Sequence, residues 1–199
     1  MWDQRYREPG FAYGTNPNDF LKAEYARIPK GGRILCLAEG EGRNAVFLAQ
    51  QGYRVTAVDQ SAVGLQKAEA WAHEQGLEIA TIVADLSTLD PGIAAWDGIV
   101  SISAHLPPAI RRPLHSQVVA ALKKDGILLL EAYTDRQLEM DGVGGPPASQ
   151  KDLFMSLHDL EAELAGLDFV VGRELEREMS EGKYHQGLSA VVQVIARKG

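Results

Sequence analysis

Short apolar runs alternate with helical patterns along most of the chain, the order that parallel strands joined by crossover helices require. Residues 33–37, Arg-Ile-Leu-Cys-Leu, follow the breaker Pro29-Lys30-Gly31-Gly32 and are apolar after the first position, as a strand buried on both faces should be. The loop from Ala38 to Gly42 leads into a predicted helix over 44–51, with Gly52 placed for a left-handed C-terminal cap. Residues 54–58 form a second strand that closes on Asp59, and Ser61 is a good N-cap for a helix through Leu65, Ala68 and Ala72, stopped by Gly76. Further strands are predicted at 79–83 and 97–102. Pro107 and Pro108 suit the first turn of a helix running through Val118, Val119 and Leu122. Residues 127–133 are the most apolar run, and a central strand is expected there.

Beyond this point the pattern changes. Residues 141–147, Asp-Gly-Val-Gly-Gly-Pro-Pro, are too rich in glycine and proline for regular structure. Ser156 and Asp159 resemble a capping box for a helix over 157–165, with Gly166 as its stop. Two strand-like runs, 169–179 and 187–196, are separated by Ser180-Glu181-Gly182-Lys183, and a hairpin is the simplest connection. No internal repeat or linker interrupts the chain, so one α/β domain is predicted.

Composition narrows the function classes. A chain of 199 residues can bury roughly 70% of its unfolded surface, enough for one real core. With 45% hydrophobic and 24% charged residues it matches an ordinary globular protein. No run approaches the roughly 18 consecutive apolar residues of a membrane span, and the charged start offers no secretory signal, so a cytoplasmic protein with no membrane partner is expected. Cys36 is the sole cysteine, which rules out an intramolecular disulfide, and no His or carboxylate spacing indicates a metal site. A net charge of -7 without a Lys/Arg cluster argues against a nucleic-acid partner, leaving a small molecule as the default.

The turn after the first strand reads Ala38-Glu39-Gly40-Glu41-Gly42-Arg43-Asn44 and opens a helix. Glycine there lets a ligand approach bare backbone, and the helix start presents free N–H groups to an anion. Gly40-x-Gly42-x-x-Ala45 formally satisfies the dinucleotide fingerprint. Its register does not fit well: the place of the first glycine after the strand is held by Ala38, and counting from there puts Arg43 where close helix–strand packing needs the third glycine. Asp59 stands 19 positions after Gly40, near the roughly 20 expected of a carboxylate that accepts both ribose hydroxyls, although a capping or turn aspartate has the same appearance.

The runs ILCLAEGEGRNAVFLA and GYRVTAVDQS resemble the first two motifs of class I S-adenosylmethionine-dependent methyltransferases, and within that class the tellurite-resistance and thiopurine methyltransferase-like branch. The similarity covers nearly the whole chain, from Tyr13-Gly14-Thr15-Asn16-Pro17 to the last apolar run. It implies a single Rossmann-like domain over 1–199, with an N-terminal lid segment at 1–28 and a core at 29–199. The core would hold a seven-stranded, mostly parallel sheet with an antiparallel C-terminal hairpin strand and helices on both faces. It implies further that S-adenosyl-L-methionine is held by the loop residues Ala38, Glu39, Gly40, Gly42, Arg43 and Asn44, with Tyr13 and Ser101. Asp59 and Gln60 would hold the ribose, and Asp85 with the Leu86 amide the adenine; Asp85 also suits an ordinary turn. Two departures stand out. The branch usually carries an acidic residue at the position of Cys36 and a glycine at that of Ala38, and Glu39 or Glu41 is a candidate to compensate.

The methyl group would pass in line to a small-molecule acceptor, with oriented binding worth up to roughly 7 to 11 kcal/mol of the barrier. His105, just past the fourth strand, is the candidate general base, with a structural histidine in that turn as the alternative. Tyr133 and Tyr13 are candidates for the pocket wall, and packing would explain either as well. His185 and Arg177, near the late hairpin, are expected on a solvated face. A monomer or homodimer is expected. The rival functions are a small NAD(P)-dependent oxidoreductase and a non-catalytic sensor of adenosine-type metabolites.

Overall fold

In a computed structural model that describes residues 2–199, β1 (Arg33–Leu37), β2 (Arg54–Asp59), β3 (Ala80–Val83), β4 (Trp96–Ile102) and β5 (Leu122–Tyr133) run parallel. β6 (Leu167–Glu181) and β7 (His185–Lys198) form an antiparallel hairpin that joins β5 through β7. The sheet order is β3-β2-β1-β4-β5-β7-β6. The middle position therefore belongs to β4, while the more apolar β5 lies next to it, also interior.

The continuous apolar runs are explained by two cores, one on each face. Leu35, Leu37, Ile99, Leu128 and Leu130 point to one, and Ile34, Cys36, Val100, Ile127 and Leu129 to the other. Alternate residues of each strand thus meet different helices, so no buried position of β1, β4 or β5 can be polar without a partner. One face is covered by α2 (Asp19–Glu24), α3 (Arg43–Gln50) and α4 (Ala62–Glu74), through Leu21, Leu48 and Leu65. The other is covered by α5 (Pro108–Ala121) and α6 (Leu157–Glu163), through Leu114, Val118 and Leu160.

The punctuation residues act as their chemistry dictates. Ser61 Oγ accepts the Gly64 amide at 3.1 Å and Ser156 Oγ accepts the Asp159 amide at 3.1 Å, capping α4 and α6. Gly52 and Gly76 follow α3 and α4 at φ of +87° and +70°. The N-terminal segment differs from a plain lid: α1 (Trp2–Tyr6) lies against α4, and Asn18 caps α2 by accepting the Leu21 amide at 3.0 Å. The hairpin strands are also longer than their apolar patterns, because β6 continues as an edge strand rich in exposed charge, a common guard against pairing with another chain. Among the described residues, no helix is long and apolar enough to cross a membrane.

Candidate active site

Ligands of open α/β sheets collect beyond the carboxyl ends of the strands. Here β1 ends in a turn with Ala38 at φ +50°, Gly40 at +63° and Gly42 at +89°. The Glu39 amide donates to the Val58 carbonyl at 3.0 Å and the Gly40 amide to Asp59 Oδ2 at 2.9 Å, tying the loop to the end of β2. Asp59 Oδ1 accepts the Ser61 amide at 2.8 Å. Burial pushes the Asp59 carboxyl up, and the Ser61 and Gly40 amides oppose it. A carboxylate accepts about four hydrogen bonds, so roughly two sites remain for a ligand.

The two loop glycines serve packing. A Cβ on Gly40 would stand 2.6 Å from the Tyr6 hydroxyl of α1, and one on Gly42 2.5 Å from Ala68 Cβ of α4. Neither lines the cavity. The segment that follows α1 is held by Lys67, whose ammonium donates to the Tyr6 carbonyl at 2.8 Å and to the Glu41 carboxylate, while Glu41 Oε2 accepts the Ala12 amide at 2.7 Å.

Glu39 occupies the seat that an anion would take. Its Oε1 accepts the Asn44 and Ala45 amides at 2.9 and 2.7 Å, so the first free N–H groups of α3 already hold a carboxylate. Burial pushes this carboxyl up to about 7 against those two amides and Arg43. Three residues before it, the Cys36 thiol is buried, and burial together with the neighbouring Glu39 pushes its pKa up.

A cavity of about 560 Å3 opens at this end of the sheet, within the range of small-molecule sites. Its walls include Tyr13, Ala38, Glu39, Arg43, Asn44, Asp59, Gln60, Asp85, Leu86 and His105 from the sequence-derived set. Asp85 Oδ1 accepts the Ser87 amide at 2.8 Å, an Asx turn that pulls its carboxyl down. Ser101 is buried within β4, and the wall there is made by Ile102, Ser103 and Ala104 instead. The N-terminal Trp2, Arg5 and Tyr6, the loop 145–147 and His185 complete the cavity. None of these carries a motif; only tertiary packing brings them in.

The two catalytic candidates are corrected by their contacts. His105 Nδ1 lies 3.0 Å from the Leu153 carbonyl, so it carries the proton, and Nε2 accepts the Tyr133 amide at 3.3 Å. Burial pushes its pKa down to about 4. With both nitrogens engaged by backbone, His105 pins a turn and has no lone pair to offer a substrate. Tyr133 is fully buried, its hydroxyl donates to Met179 Sδ at 2.9 Å, and it does not reach the cavity. His185 and Arg177 are likewise not on a solvated face. Arg177 bonds Glu131 at 2.6 Å and Glu181 at 2.8 Å, and His185 is 7% exposed.

Residues 34–126 match a family described as a methyltransferase domain. A putative methyltransferase of Geobacillus sp. (strain WCH70) is 31% identical over 111 residues, which span 54% of this chain and 44% of the relative. The chain thus spans less than half the length of that relative. The thiopurine S-methyltransferase of Bordetella petrii is 25% identical over 76% of this chain and 77% of its own length. The structure of TehB from Haemophilus influenzae superposes with a TM-score of 0.72 at 21% identity, covering 91% of this chain and 62% of that one. Residues 34–126 thus resemble a methyltransferase domain, and the sheet order β3-β2-β1-β4-β5-β7-β6 belongs to a chain that shares the fold of TehB.

Proposed function

We propose that the chain transfers a methyl group from S-adenosylmethionine to a small-molecule acceptor. The carrying observation is Asp59: a buried carboxylate at the end of β2, fixed by two amides and with accepting capacity left over, on the wall of the cavity beside Ala38 and Glu39. Its free lone pairs suit the two ribose hydroxyls, and Asp85 with the Leu86 amide suits the adenine. Bound, the donor would supply an activated methyl group on a sulfonium. The protein orients the partners and, with residues 2–14 over the site, excludes water.

Glu39 favours this donor over a dinucleotide. A pyrophosphate needs the free amides at the start of α3, and here the Glu39 carboxyl already holds them and, once ionised above about pH 7, would repel it. A donor with cationic sulfonium and ammonium groups is attracted by the same charge.

Titration calorimetry tests the assignment. S-adenosylhomocysteine binds the wild type and NAD gives no heat. Ligand at about 100 times its dissociation constant adds about 2.7 kcal/mol of stability, or roughly 5 to 10 °C in melting temperature. Asp59→Ala loses two charge-assisted hydrogen bonds and weakens binding by about 10²-fold or more. Unchanged affinity in this variant, with a native circular dichroism spectrum, removes the ribose role.

A further inference from the structure

One corner of the cavity is built on residues other than Asp59, Asp85 and Leu86. It is built on a buried cluster in which Glu181 accepts from Arg43 Nη2 at 2.6 Å, Arg177 Nη2 at 2.8 Å and Asn18 Nδ2 at 2.9 Å. Burial works against its charge, but these partners and His185 hold the Glu181 carboxyl well below the usual range. His185 Nδ1 stands 3.4 Å from Glu181 Oε2. Facing an ionised carboxylate, that nitrogen must carry the hydrogen, and Nε2 is left with the lone pair. Nε2 makes no hydrogen bond among the described residues, and His185 lines the cavity. The ring is fixed between Tyr13, at 4.6 Å between centroids, and Tyr133, at 5.3 Å.

A second, independent observation marks the same corner. Arg43 is nine-tenths buried, and its Nη1 is the one buried side-chain polar atom among the described residues without a hydrogen-bond partner. Orphaned buried donors are rare, and the residue that carries this one, Arg43, stands on the cavity wall beside His185. The charges of the cluster are balanced, two guanidiniums (Arg43, Arg177) against two carboxylates (Glu131, Glu181). There is no surplus positive charge to draw in a fully ionised acceptor. Leu106, Pro146, Pro147 and Leu153 make the remaining wall apolar.

We propose that His185, oriented by Glu181, is the proton acceptor of the transfer reaction, and that the methyl acceptor is a mostly apolar small molecule with a weakly acidic hydroxyl, phenolic or enolic. The proposal rests on the donor assignment above. The hydroxyl proton moves to Nε2, and the positive charge of the Arg43 guanidinium on the same wall offsets the charge that develops on the oxygen. The oxygen lone pair forms the bond to the methyl carbon while the carbon–sulfur bond breaks and its pair stays on sulfur, giving a neutral thioether. The imidazolium is paired with Glu181 and returns its proton to solvent after product leaves.

The groups facing the imidazole are Glu181, Glu131, Arg43, His105, Tyr13 and Tyr133. Burial lowers its pKa and the carboxylates only partly offset this, so the ring is neutral and able to accept a proton at neutral pH.

The experiment compares wild type and His185→Gln on two probes, phenol and 4-nitrophenol, by S-adenosylhomocysteine formation at about pH 8. Phenol stays protonated there and needs a base; 4-nitrophenol is mostly ionised and does not. The variant should lose about 10²- to 10⁴-fold in kcat/KM on phenol, and less than about tenfold on 4-nitrophenol, with unchanged heat for S-adenosylhomocysteine. The wild-type rate on phenol should fall with a single-proton limb as pH drops, and that limb should vanish in the variant. Equal losses on both probes, or none on phenol, overturn the role of His185. If neither probe is turned over by wild type while S-adenosylhomocysteine binds, the acceptor class is overturned. Absence of S-adenosylhomocysteine binding overturns the donor assignment instead.

Discussion

Replacing Glu39 with glutamine is expected to stabilise the folded chain at pH 8 by about 3 kcal/mol while weakening the binding of the methyl donor. Burial raises this carboxyl from an ordinary 4.5 to about 7. In the folded chain it therefore keeps a proton up to about pH 7, whereas the unfolded chain has released it by about pH 5. Over that window the folded state binds more protons, so wild-type stability falls as pH rises, and above pH 7 the full difference is lost. A gap of about 2.5 pKa units corresponds to about 3 kcal/mol. Glutamine keeps an oxygen to accept the Asn44 and Ala45 amides and carries no charge to bury. Urea unfolding should show variant and wild type nearly equal at about pH 4.5 and the variant ahead at pH 8; an equal difference at both would contradict the raised carboxyl. Donor affinity of the wild type should climb by up to tenfold per pH unit below about pH 7, and the variant should lose this dependence. Such a group keeps a local cost because the site uses its charge.

Much of the parallel half of the fold was legible because its signals are local. The strands β1 to β4 and residues 127–133 of β5 are set by short apolar runs, whereas the polar start of β5 at Leu122–Gly126 carries no such signal, and Gly52, Gly76, Ser61 and Ser156 mark helix ends within a few residues of what they cap. The same holds for Asp59 and the loop before it. The helices α1 and α2 escaped notice because they are five and six residues long and depend on packing rather than on periodicity. His105 misled because proximity to a strand end says nothing about where its nitrogens go; the partners are backbone atoms 28 and 48 positions away. Arg177 had a readable clue. Along β6 it shares parity with Leu175, Met179 and Glu181, and the last two are buried, so the face carrying Arg177 turns inward. The charged string around it masked that alternation. The cluster that joins Asn18, Arg43, Glu131, Arg177 and Glu181 exists only because the order β5-β7-β6 and the N-terminal segment meet there.

Glu131→Ala is expected to cost about 3 to 5 kcal/mol, a drop of roughly 6 to 20 °C in melting temperature for a chain of this size. Glu131 is 1% exposed near the carboxyl end of β5 and accepts four hydrogen bonds. They come from Arg177 Nη2 and Nε at 2.6 and 3.1 Å, Asn18 Nδ2 at 2.7 Å and Gln193 Nε2 at 2.6 Å. Truncation leaves part of a buried guanidinium and two amides without their acceptor, where the full desolvation penalty applies. The damage should not stop at β5. Asn18 is the cap of α2 and donates its own backbone amide to Asn44 Oδ1, so a loosened Asn18 frees the N-terminal segment from the helix that opens the donor loop. Limited proteolysis should then cut within residues 2–17 faster in the variant, before global unfolding. A second change distinguishes the ion pair from simple packing: Glu131→Leu combined with Arg177→Met removes both charges and should recover part of the loss, as buried pairs replaced by apolar groups often do. If the double variant is no more stable than Glu131→Ala, the penalty lies in the amides of Asn18 and Gln193 rather than in the unpaired guanidinium.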